Sequence, residues 1–89
     1  MNAYEFVFIT KDGSKTVLEG TEKLISGFKG NVSKRDDWGK KQFAYKMAGL
    51  KEGHYHVWNL DMNTSDMFEF KNKLNLEKGI IRYLILKKD

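Results

Sequence analysis

Two histidines stand two residues apart, His54 and His56, and on an extended chain that spacing puts both rings on one side of a strand, as two ligands of a metal site would require. No third ligand is evident, so the pair reads as two histidines at the start of a strand, one of them satisfied near the core. Asp36 and Asp37 are adjacent, so a strand would point them to opposite faces. Without a bend they cannot act as a paired acid and base, and they read as solvated turn residues. Ser14, Ser26, Ser33 and Ser65 lack the spacing of a nucleophile elbow, and neither a phosphate-binding P-loop nor a Gly-x-Gly-x-x-Gly fingerprint occurs. With no cysteine, the chain offers no disulfide, thiolate zinc site, iron–sulfur cluster or cysteine nucleophile. The expectation is a non-enzymatic protein with no catalytic residue, metal or cofactor.

Basic residues carry more information. Lys34, Arg35, Lys40, Lys41 and Lys46 cluster in one segment, interleaved with Trp38, Phe43 and Tyr45, while Arg82, Lys87 and Lys88 gather near the end of the chain. Ammonium and guanidinium groups neutralise phosphates and aromatic faces stack on unpaired bases, a combination that suits RNA better than readout of a DNA groove. The same lysines equally suit a solvated edge strand protected against aggregation. Net charge is consistent with either: 16 Lys and Arg against 12 Asp and Glu leave +4, with a pI near 9.3, which permits a nucleic-acid partner without requiring one.

The elements that must position these residues follow from periodicity. Tyr4 to Thr10 is aromatic and β-branched and closes on the turn signal Lys11-Asp12-Gly13, a first strand. Beyond Ser14, a candidate N-cap, Val17, Leu18, Leu24, Ile25 and Phe28 mark one face of a helix ending at Gly30. Gly20 and Gly27 share an angular position beside that stripe, as if to let the backbone approach a sheet. Asn31 to Met47 reads as a long polar strand interrupted by a bend or bulge at Asp36-Asp37-Trp38-Gly39. Ala48 to Gly53 forms a hairpin connection, and His54 to Met62 alternates with Trp58, Leu60 and Met62 on one side and Tyr55, Val57, Asn59 and Asp61 on the other. Asn63, Thr64 and Ser65 supply caps for a helix with the stripe Met67, Phe70 and Leu74, which leaves Phe68 off it. A last strand runs from Ile80 to Leu86.

The order β-α-β-β-α-β defines an α+β ferredoxin-like sandwich, a four-stranded antiparallel sheet with two helices on one face. At 89 residues, 40% hydrophobic, the chain suffices for a single domain spanning 1–89 and not for two. Nothing resembles a signal peptide or a spanning helix, so the protein is expected to remain in the cytoplasm. Alternation sends Phe6, Phe8, Tyr83 and Ile85 toward the helices and Val7, Ile9, Tyr55, Val57, Leu84 and Leu86 to the open face. Such a face is more apolar than solvent alone would favour.

Tyr4-Glu5 in the first strand, Trp38-Gly39-Lys40-Lys41-Gln42-Phe43-Ala44-Tyr45 in the second, Gly53-His54-Tyr55 in the third and Gly79-Ile80-Ile81-Arg82-Tyr83 before the fourth resemble the bacterial ribosomal protein S6 family over essentially the whole chain. The Trp-Gly-Lys-Lys-x-Phe-Ala-Tyr run is the most specific piece. The resemblance implies a structural role in the small ribosomal subunit, bound to the central domain of the small-subunit rRNA together with ribosomal protein S18. It makes Lys40, Lys41 and Arg82 phosphate-contact candidates; Lys46, where the family usually has proline, and Lys87 join them on charge. Val7, Ile9, Tyr55, Val57, Leu84 and Leu86 become the expected protein-partner surface of a chain monomeric when isolated. The family's frequent tail beyond the fourth strand has no counterpart in this sequence, so no tail-dependent property is carried over. The contrasting expectation is a regulatory module that self-associates through its sheet and binds a metabolite. A hydrolase resembling acylphosphatase is disfavoured, because no glycine-rich phosphate loop with an arginine lies near the first strand.

Overall fold

A computed structural model describes residues 2–13, 15–47 and 49–88, the side chains of 44–47 excepted. The elements are β1 (Asn2–Thr10), α1 (Lys15–Gly27), β2 (Asn31–Met47), β3 (Leu50–Met62), α2 (Thr64–Asn75) and β4 (Ile80–Lys87). They form one antiparallel sheet in the order β2-β3-β1-β4. This is the ferredoxin-like arrangement expected from the alternating periods.

The sheet face toward the helices is closed. Phe6 and Phe8 of β1, Trp58, Leu60 and Met62 of β3, and Ile80 of β4 pack with Ile25 of α1 and Met67, Phe70 and Leu74 of α2 in one core. Phe6 and Phe8 stack at 4.5 Å between ring centroids, and Phe70 meets Phe6 edge-on at 5.8 Å, arrangements that favour aromatic pairs beyond their buried area. The predicted stripes therefore hold, and Phe68 is exposed.

Three local expectations are corrected. The first helix ends at Gly27 rather than Gly30 and closes on a Schellman motif, with Gly30 N–H donating to Ile25 O (2.9 Å) and Lys29 N–H to Ser26 O (2.9 Å). The left-handed residue is Lys29, at φ 59°, while Gly30 answers a steric demand: a Cβ there would lie 2.9 Å from Ile25 Cγ2. Gly20 and Gly27 do not let the backbone approach the sheet; both are exposed and a Cβ on either would meet nothing within 4 Å. The hairpin connection is shorter than expected, because β3 already pairs at Leu50, opposite Met47. Ser14, the candidate N-cap, lies outside the described residues.

Candidate nucleic-acid interface

The register builds the open face in rows. Gly39, Tyr55, Ile9 and Arg82 lie across one row, Asp36, Val57, Val7 and Leu84 across the next, and Lys34, Asn59, Glu5 and Leu86 across a third. Leu84 and Leu86 are 54% and 49% exposed, and Val7, Tyr55 and Val57 are half-buried. The apolar centre is therefore Val7, Tyr55, Val57 and Leu84, with charged or polar groups around it.

Ile9 differs from its expected role. It sits on this face but is only 7% exposed, and Phe43 lies beside it over Gly53. A Cβ on Gly53 would lie 2.8 Å from both Ile9 Cγ2 and Phe43 Cζ, so the missing side chain at Gly53 leaves room for both. Phe43 also packs on Tyr55 at 6.1 Å between ring centroids. Ile9 thus belongs to an apolar cluster within the chain, and Phe43 takes its place on the surface side.

The hairpin projects past the four-stranded body. β1 ends at Thr10 opposite His54, while β2 and β3 continue as a two-stranded arm from Lys41 opposite Gly53 to Met47 opposite Leu50. Lys41 therefore shares the face of Gly53 and Tyr55, at the same end of the sheet as Arg82. The two cations sit on opposite edge strands, three interstrand spacings or about 14 Å across the sheet and two residues, about 7 Å, along it. Neither has an ion-pair partner among the described residues.

The remaining expected cations are not gathered there. Lys40 pairs across the ladder with His54, on the other side from Lys41, and its ammonium holds Glu52 Oε1 at 2.9 Å. Lys87 lies opposite Tyr4, a core residue, and so projects to the helix side at the far end of the sheet. The side chain of Lys46 lies outside the described residues. Arg35 is also committed, with Nε 2.7 Å from Glu22 Oε1 and its guanidinium carbon 5.5 Å from the centre of the Trp58 ring. It fastens β2 to α1.

The two histidines do share one side of β3, but they serve different ends. His56 is buried, 3% exposed, and stacked on Phe8 at 4.8 Å. Its Nδ1 lies 2.6 Å from Asp37 Oδ1 and its Nε2 3.0 Å from Thr10 Oγ1, which accepts from Gly13 N–H at 3.0 Å. In the neutral ring Nδ1–H donates to the carboxylate, so Nε2 accepts from the Thr10 hydroxyl and every member of the chain is satisfied. This Asp–His–Thr order matches that of a hydrolytic triad, yet Thr10 is fully buried and no substrate atom can reach its oxygen. Its role is to tie the β2 bulge to the turn after β1. Asp37 is thus more than a solvated turn residue, whereas Asp36, on the open face, lies 3.8 Å from Lys34. Among the described residues no group of three or more His, Asp or Glu side chains forms a potential metal site. No helix among them is long and apolar enough to cross a membrane.

Sequence reasoning missed the Asp37–His56–Thr10 chain and the placing of Phe43 beside Ile9 over Gly53. Counted back without a break from Met47 opposite Leu50, the hairpin register would place Asp37 opposite Leu60; the irregularities between Gln42 and Met47 and at Trp38 bring it to His56 instead.

A helix-backed antiparallel sheet with an open face, apolar at its centre and with two cations at one end, defines a protein of the ferredoxin-like class. Comparison with known proteins narrows the class. The family model described as Ribosomal protein S6 matches residues 3–87. Small ribosomal subunit protein bS6 of Ehrlichia chaffeensis (strain Arkansas) is 34% identical over 94 residues, covering 100% of this chain and 86% of that one. The bS6 protein of Rickettsia canadensis (strain McKiel) is 32% identical, covering 100% and 78%. The crystal structure of 30S ribosomal protein S6 from Thermotoga maritima superposes with a TM-score of 0.88 at 25% identity, over 98% of this chain and 87% of that one. The C-terminal domain of the MgtC protein from Mycobacterium tuberculosis, at 11% identity and a TM-score of 0.63 over 99% and 88%, shares the fold alone. The chain belongs to the ribosomal protein S6 family of the small ribosomal subunit.

Proposed function

We propose that this protein is a non-enzymatic structural component that binds the central domain of small-subunit rRNA jointly with ribosomal protein S18, working on cytoplasmic ribosomes and monomeric until it meets its partner. The observation that carries the reading is the division of the open face: an apolar centre at Val7, Tyr55, Val57 and Leu84, with Lys41 and Arg82 at one end, uncommitted among the described residues. The centre suits a protein segment, since burying exposed apolar surface is favourable at roughly 25 cal/mol per Å². The two cations suit phosphates, which fix position without reading sequence. Lys40 contributes only by exchanging Glu52 for a phosphate, an affordable trade for an exposed ion pair. Lys87 faces away and would serve a separate strand of RNA, if any.

The test is binding to a central-domain rRNA fragment at two salt concentrations, with and without S18. Joint binding that weakens with salt is expected, since a heterodimer presents two surfaces to one RNA. Lys41→Ala should lower the log–log salt slope by about 0.7 to 0.9, the value of one phosphate contact. Absence of RNA binding with S18 present, together with a stable homodimer in solution, would replace this reading by the self-associating regulatory module.

A further inference from the structure

Trp38 takes no part in the arrangement described so far. The β2–β3 register steps from Asp37 opposite His56 to Gly39 opposite Tyr55, so Trp38 is the extra residue of the bulge and has no partner across the ladder. Gly39 turns the chain there at φ 78°, a left-handed conformation that glycine adopts without strain. The indole is held 58% exposed, while the chain's other tryptophan, Trp58, is 1% exposed in the core. Among the described residues Trp38 makes no ring contact, cation–π contact or side-chain hydrogen bond. Folding gains little from this side chain, and a bulge is a device that re-aims one residue of a strand.

The surroundings say what such an indole would meet. Lys34, Lys40 and Lys41 flank it in the strand, all exposed, against Asp36 and Asp37. Asp37 accepts from His56. Asp36 lies 3.8 Å from Lys34 and Lys40 holds Glu52 at 2.9 Å, exposed ion pairs that open at little cost, while Lys41 has no ion-pair partner among the described residues. The neighbourhood is charged rather than apolar, and the cation it leaves uncommitted among the described residues is Lys41, which favours a polyanion over an apolar protein surface. A flat, electron-rich ring three residues from an uncommitted ammonium group suits an unpaired base whose phosphate that ammonium can meet. We propose that Trp38 stacks on an unpaired nucleobase of the RNA, an inference that rests on the RNA-binding role proposed above.

Fluorescence tests it directly, because Trp58 is sealed in the core and the difference between the parent and Trp38→Phe spectra isolates Trp38. Titration of the protein–S18 complex with the central-domain fragment should quench that emission at the stoichiometry of binding. Trp38→Ala should weaken binding about 5- to 150-fold, the value of one base–aromatic stack, while Trp38→Phe retains most of the affinity. The salt slope should stay unchanged in both variants, unlike that of Lys41→Ala, because stacking releases no counterions. Parental affinity in Trp38→Ala, or unchanged Trp38 emission in a complex that binds RNA, overturns the stacking proposal and leaves the RNA-binding reading standing. Quenching by S18 alone, before RNA is added, assigns the indole to the protein interface and overturns it too. A parent complex that binds no RNA at any salt overturns both.

Discussion

The two faces of the sheet are built from alternate residues of the same strands, yet they are used in opposite ways. On the helix side Phe6, Phe8, Trp58 and Leu60 are fully enclosed; on the other side their immediate neighbours Val7, Val57 and Asn59 are left half-buried and Leu84 is exposed. Even the polar groups follow the division. His56, on the closed side, has both ring nitrogens engaged within the chain, whereas Lys41 and Arg82, on the open side, are uncommitted among the described residues. The closed face stores the stability of the fold. The open face keeps apolar area and charge that folding leaves in water, and these are what the proposed partners would remove from it.

Substitutions on the two faces should therefore separate stability from binding. Phe70→Ala opens a cavity where α2 meets the closed face and should cost about 3 to 5 kcal/mol, read as a lower urea midpoint. Val57→Asp places a carboxylate in the apolar centre and should weaken S18 binding about tenfold or more, since an unpaired charge would have to be desolvated in the interface. Its cost in stability should be about 1 kcal/mol, from the lost β-propensity of half-buried Val57 together with the like charge of Asp36 directly across the ladder. Unchanged affinity in a titration by calorimetry would remove Val57 from the interface. The smallest effect belongs to a position on neither face. Gly20→Ala should raise stability by about 0.4 to 1 kcal/mol through helix propensity and unfolded-chain entropy, with binding untouched, because a Cβ there meets nothing within 4 Å. A loss of S18 or RNA affinity in this variant would show that the outer side of α1 takes part in assembly, and so blur the division.

Much of the division was legible in the sequence. Alternation in His54–Met62 has a period of two, and a strand's side chains must follow it, so the inward set Trp58, Leu60 and Met62 emerged without tertiary information. The last strand is apolar on both sides, so Tyr83 and Ile85 are placed inward only by counting, and Ile80, of the other parity, joins the core where the β1–β4 register shifts. The helix stripe Met67, Phe70 and Leu74 emerged from the 3.6-residue period in the same way. The candidate site was legible only in part. Lys41 and Arg82 fall at one end of one face, while Lys40, its neighbour in sequence, points to the other side and is already paired with Glu52. Composition counts charges; it does not count which of them are spent.

What the sequence determined by itself was what depends on local geometry: element order, the parity of each strand and the face of each helix, since these follow from fixed periods along the backbone. What only the tertiary structure decided was what depends on register between distant segments. His56 meets Asp37 across 19 residues and Thr10 across 46, and Phe43 reaches Ile9 because Gly53 leaves room between them. Trp38 is turned out of the ladder by a bulge that shifts every earlier pairing by one residue. A one-residue change in register reassigns every side chain beyond it to the other face, and the energy that selects the register comes from packing across the sheet, which no local window of sequence contains.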